Sequence, residues 1–276
     1  MSKLLKYEFR RSRIFVLGIA GISIILNAIF LVGWAFEIGF LCTLGLLGEI
    51  ACIAFGSTAV LIFSVINFNE DISKRQGYLL FSAPRSSKQV LGAKLLMTLF
   101  TFAGLTILFA ILIFTDCAYA AYHYGENIIG FLRELFFDTS LTGEELYKTL
   151  FTPYNIFGMF MYLFDYIFSF LCKVVLAYIA IVLTKTLLGN SKGRILLAFV
   201  MWCGVSFILC LLASLITTAF NFNTIEETYT VINAFVSLTS IYFSPVMYLP
   251  ALLINLAACV GGFFLVDWLV DKKLSL

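Results

Sequence analysis

Lys173 stands inside a long apolar run with Asp165 eight residues before it, and these are the ionisable side chains an intramembrane function could draw on. Charge within a membrane span is costly and marks a substrate path, a relay or an interface. Eight residues is a little over two helical turns, so the two share roughly one face but stand too far apart to pair. Either Lys173 faces a translocation path or an interface, or its long stem carries the ammonium out to the membrane surface. Catalysis has less to work with. The single histidine, His123, has no partner for a metal pair and no nucleophile stands beside a base, so no catalytic, metal or cofactor-binding residues are assigned. The phosphate-binding pattern G-x-x-x-x-G-K-[ST] is missing, and the nearest approach, Gly189-Asn190-Ser191-Lys192, has the wrong spacing. The chain is therefore not expected to hydrolyse ATP or to be an enzyme. Of seven cysteines only Cys117 lies beside polar sequence, which suggests no disulfide framework.

A second stretch has the character of a recognition element. Between Asn69-Glu70-Asp71 and Ser86-x-x-Gln89, a helix-starting capping box, lies "ISKRQGYLLFSAPRSS". Gly77 and Pro84 bracket about one helical turn of apolar residues, Tyr78 to Ser82, too short to insert in a bilayer. An apolar turn among basic residues is useful if another protein's groove covers it. The alternative is that it folds back on the ends of the neighbouring spans.

The elements that position these residues follow from composition. Hydrophobic residues make up 62% and charged residues 12% of the 276, with 30 Phe and a mean hydropathy of +1.02, more apolar surface than a soluble core can bury. The class is an all-α polytopic membrane protein. A spanning helix needs about 20 apolar residues, which puts spans near 14–36, 46–68, 95–115, 160–184, 195–220 and 251–270. The first is too long for a signal-peptide core and is read as retained. "VINAFVSLTSIYF" is short and runs into Ser244-Pro245 and Pro250, so it stays on one side as a re-entrant or interfacial segment within 221–250.

Of the eighteen Lys and Arg, fifteen fall at the two termini and in the connections after spans two and four. The other connections hold Arg133 and Lys148 among eight acidic residues, including Asp116, Glu144 and Glu226. The positive-inside rule then makes both termini and the 69–94 loop cytoplasmic, which requires the even number of crossings found. Lys3, Lys6, Arg10 and Arg13 share one helical face opposite Leu4, Leu5 and Ser12, the pattern of a basic amphipathic helix over residues 1–13, although a plain topology-setting flank would look the same. On the outer side, residues 116–155 carry a capping box at Thr142-Gly143-Glu144-Glu145 and two amphipathic stretches suited to an outer cap. Glu49 is expected at the outer end of span two, solvated, and Asp267 at the inner end of the last span beside Trp268.

The basic N-terminus, the six spans, "NEDISKRQGYLLFSAPRSSKQVLGAK" and the Pro-flanked apolar segment before the last span together resemble the ABC-2 type permeases, membrane subunits of ABC exporters. The resemblance covers nearly the whole chain, a single transmembrane domain, and lies in the arrangement rather than in one motif. It implies an interfacial elbow at Lys3, Lys6, Arg10 and Arg13, and a re-entrant extracellular hairpin before the last span. It also implies a cytoplasmic coupling helix in which Tyr78, Leu79, Leu80, Phe81 and Ser82, with Glu70, Asp71, Lys74, Arg75 and Arg85 around them, dock on a separate ATP-binding subunit. ATP and magnesium would belong to that partner. A second permease subunit, identical or not, would complete the unit in the plasma membrane, the host being bacterial. The cargo would be amphipathic or apolar: a peptide such as a phenol-soluble modulin, a drug or a lipid. Membrane lipids are the remaining partner, and nothing points to nucleic acid. The alternative is a channel or ion-coupled secondary transporter with no ATPase, although no inverted repeat is visible.

Overall fold

The computed structural model describes residues 2–73, 87–123, 153–189, 193–221 and 245–273. Those residues form six helices and, among them, no strand: α1 (Ser2–Ala35), α2 (Gly39–Ser73), α3 (Ser87–His123), α4 (Pro153–Leu188), α5 (Arg194–Asn221) and α6 (Pro245–Lys273). Each is long and apolar enough to cross a membrane. Helix is the outcome hydrocarbon demands, because an open chain in lipid leaves every amide and carbonyl unsatisfied, whereas a helix pairs them within the segment.

The six expected spans are all present, and the helices run beyond them. α1 has 34 residues and α3 has 37, roughly 50 and 55 Å at about 1.5 Å per residue, against an apolar membrane core of about 30 Å. Hydropathy marks only the stretch that must be apolar, while a helix continues through polar residues wherever its hydrogen bonds stay satisfied. Four boundaries therefore move. Residues 1–13 are not set off from span one: α1 is unbroken through Arg13 and Ile14. The connection read as 69–94 shrinks to 74–86, because α2 runs to Ser73 and α3 starts at Ser87, one residue from the capping-box serine. Residues 116–123 belong to α3 and not to an outer segment. Pro245 and Pro250 both lie in α6, so 245–250 is the start of the last helix and not part of a hairpin. Pro250 is buried within α6 and leaves one carbonyl of that first stretch without its amide.

The chain divides into two compact units, Met1–Tyr124 with Val270–Leu276, and Gly125–Leu269. In the first, α1 and α2 form a tight antiparallel hairpin. Its turn is a helix-ending motif: the Ile38 amide donates to the Gly33 carbonyl at 2.9 Å and the Glu37 amide to the Trp34 carbonyl at 3.2 Å. Glu37 takes the left-handed conformation (φ 52°) that glycine usually fills there. Small residues let the two backbones approach, as in membrane helix pairs generally. A Cβ on Gly45 would lie 2.6 Å from the Phe30 amide nitrogen, and one on Gly33 would lie 2.6 Å from that of Cys42. Phe15 and Phe63 stack at 4.2 Å between the same helices. α3 packs on both, with Phe109 against Gly56 and Trp34 set edge-on to Tyr119 and His123.

In the second unit α4 is the best-buried helix, with Tyr178, Val174, Val175, Val182 and Thr184 inside, and α5 packs along it. Gly262 of α6 lets the Val175 side chain come close. The Trp202 indole N–H of α5 donates to the Lys173 carbonyl at 2.9 Å.

Candidate functional site

The first unit carries two polar nodes, one toward each end of its three helices. The first sits where α2 and α3 flank residues 74–86. Arg11 of α1 forks across the end of α2, Nη1 donating to Asp71 Oδ1 at 2.8 Å and Nη2 to Glu70 Oε2 at 2.7 Å. Lys94 of α3 donates from Nζ to Glu8 Oε1 at 2.7 Å and to the second carboxylate oxygen of Asp71. Asp71 thus bridges a guanidinium and an ammonium, and the chain Glu70, Arg11, Asp71, Lys94, Glu8 ties all three helices together. Lys94 is only 4% exposed and Glu8 8%, so that end of the node lies inside the packing, while Arg11 and Glu70 stand at its half-exposed edge. Charges so placed persist because they are paired and hydrogen-bonded on several sides. Just beyond, Ser64 and Thr98 join α2 to α3 at 2.7 Å.

Sixteen to twenty-two residues further along the same helices lies the second node. The Asn27 side-chain amide donates to Glu49 Oε1 at 2.9 Å and to Asp116 Oδ1 at 2.8 Å. The separation from the first node is about 24–33 Å at about 1.5 Å per residue, close to one apolar membrane thickness. The two nodes bracket an apolar middle. Glu49, expected to be solvated, is 5% exposed and held by Asn27. Asp116, expected outside the helices, lies within α3. Two carboxyl groups drawn to one amide form an arrangement able to take up a proton or small cation.

The sequence-derived candidates divide. Glu70 and Asp71, which the resemblance groups with the docking residues, pair within the unit, Glu70 with Arg11 and Asp71 with Arg11 and Lys94. Tyr78, Leu79, Leu80, Phe81, Ser82, Lys74, Arg75 and Arg85 lie outside the described residues, as do the outer segment's capping box, its amphipathic stretches and "VINAFVSLTSIYF". On the basic face of α1, Lys6, Arg10 and Arg13 are exposed and Ser12 is buried, as the helical spacing predicts, while Lys3 is outside the described side chains. Lys173 is exposed and Asp165 accepts from Asn255 Nδ2 at 2.9 Å, so the two do not meet. Asp267 is buried with Trp268 exposed beside it in sequence.

Sequence reasoning missed Glu8, Arg11, Lys94 and Asn27 as structural partners. Arg11 and Lys94 are two of the fifteen basic residues that set the topology, and by that count they carry no other signal. A usable hint existed in the helical wheel: Arg11 falls off the face of Lys6, Arg10 and Arg13, next to Glu8 and Ser12.

No family model, curated protein or solved structure matches the chain.

Proposed function

We propose that this chain is the permease subunit of an ATP-driven exporter of the ABC-2 type, moving an amphipathic or apolar cargo outward when a separate ATP-binding subunit docks on residues 74–86. The sequence arrangement brings the proposal, and one structural observation supports it most. A docking segment transmits force only if its ends are anchored. Here the flanking helix ends are joined through Asp71, two residues before the end of α2, and Lys94, seven residues into α3, with Arg11 and Glu8 of α1 bracing both. A push on 74–86 would move three helices together rather than bend one. Six apolar helices with few interior charges suit an amphipathic cargo.

The test is co-purification of the tagged chain with candidate ATP-binding proteins, followed by ATPase assay, comparing wild type with Leu80→Asp/Phe81→Asp. Capture by wild type and loss in the double variant, with unchanged thermal stability of the membrane unit, is the expected result. An ATPase held equally by both forms would place the contact elsewhere, and capture of none would sink the permease reading.

A second reading is favoured by the Asn27, Glu49 and Asp116 node: an ion-coupled transporter that works without an ATPase. Reconstituted into vesicles, it would move cargo under a pH or sodium gradient without ATP, and Glu49→Gln/Asp116→Asn would abolish that flux.

A further inference from the structure

The first unit has an open groove of about 680 Å³ between the N-terminal part of α1 and the first half of α3. Its walls are apolar, with Phe9 on one side and Met97 and Phe100 on the other, and Gly104 leaves its floor bare, with nothing within 4 Å of where a Cβ would stand. Lys6 and Arg13 also border the groove, contributing mainly their aliphatic stems to a wall that is almost wholly apolar and carrying their charges at its margin. They stand two turns apart on one face of α1, both exposed, and neither makes an ion pair among the described residues. Arg11 and Lys94 have carboxylates; Lys6 and Arg13 have none among the described residues, which leaves both free to take an anion.

The groove extends along α1 from Leu5 to Leu17, about 18 Å at about 1.5 Å per residue. The charge node at Glu8, Arg11 and Lys94 divides it: Leu5 to Phe9 lie at the polar boundary, and Val16, Leu17 and Met97 to Gly104 lie on the apolar side. A slot that opens beside two cations at the polar boundary and runs on as an apolar wall matches a single membrane component, a headgroup followed by its acyl chain. We propose that this groove binds an acidic glycerophospholipid, an acyl chain lying along Phe9, Met97, Phe100 and Gly104 and the phosphate held by Lys6 and Arg13. A zwitterionic lipid offers the same chain but brings its own cation to the phosphate, so it satisfies the apolar wall and not the charge. The proposal does not depend on the transporter reading, since it needs only that α1 lies in a bilayer.

Native mass spectrometry of the purified full chain, loaded with equimolar phosphatidylglycerol and phosphatidylcholine, tests it. With roughly fivefold preference per cation, wild type should retain one phosphatidylglycerol roughly 25-fold over phosphatidylcholine. Lys6→Gln/Arg13→Gln should bring that ratio to within about threefold while leaving thermal stability unchanged, both side chains being exposed. Gly104→Leu, filling the floor, should lower retention of both lipids; Gly204→Leu, at an equally open site on α5, should not. Equal retention of the two lipids by wild type overturns the proposal. So does preference that survives the double charge substitution, or retention that survives Gly104→Leu, since binding would then lie on the basic surface and not in the groove.

Discussion

Lys94→Met tests whether the five-residue charge chain holds the first three helices together. Methionine keeps the unbranched length and removes the ammonium. In the folded protein Lys94 is nearly fully buried, donates to Glu8 at 2.7 Å and also binds Asp71. Asp71 keeps Arg11 after the substitution, whereas Glu8 loses the only ion partner the described residues give it. A pair of unit charges about 4 Å apart is worth about 4 kcal/mol at an effective dielectric of about 20. Stranding one partner of a buried pair costs about 3–5 kcal/mol. At roughly 2–4 °C per kcal/mol for a chain of this size, the melting temperature in detergent should fall by roughly 6–20 °C. Glu8→Gln/Lys94→Met, which removes both charges, should recover at least half of that loss, because the penalty comes from the uncompensated carboxylate. A shift under about 2 °C for the single variant, or a double variant as destabilised as the sum of the two singles, would refute the reasoning.

The other node and the helix hairpin make predictions of the same kind. Asn27→Leu removes the donor shared by Glu49 and Asp116 and should cost about 1–3 kcal/mol, while Asp116→Asn, which supplies a new donor beside Glu49, should be near neutral; thermal melts of the two compared with wild type check the order. Gly45→Ala drives a methyl into the Phe30 backbone, which cannot give way as a flexible side chain could, and should cost about 1–3 kcal/mol. Gly21→Ala on α1, where the new methyl meets nothing within 4 Å, should leave the melt unchanged or raise it slightly through better helix propensity, and the reverse order would contradict the packing described.

Much of this architecture was legible in advance, and the reason is the solvent. Lipid forbids unpaired backbone groups, so an apolar run of sufficient length, such as Ile156 to Leu188 of α4, has one structural outcome and hydropathy finds it. The amphipathic face of Lys6, Arg10 and Arg13 was legible for a similar reason, since helical periodicity alone decides which side chains share a face. Helix ends were less legible: the apolar pattern stops at the membrane boundary, but the helix's own hydrogen bonds do not, so α2 carries Glu70 and Asp71 within it and α6 takes in Pro245 and Pro250.

The pairings are another matter. Arg11 and Asp71 are 60 positions apart, Glu8 and Lys94 are 86, and Asn27 and Asp116 are 89. No local spacing encodes such contacts, because they depend on which faces of α1, α2 and α3 pack together and at what height. In the sequence Arg11 and Lys94 are two more positive charges on the inner side and Glu49 is the solvated end of a span. Only the packed helices, brought close by Gly33 and Gly45, turn those same charges inward, where desolvation makes a partner obligatory.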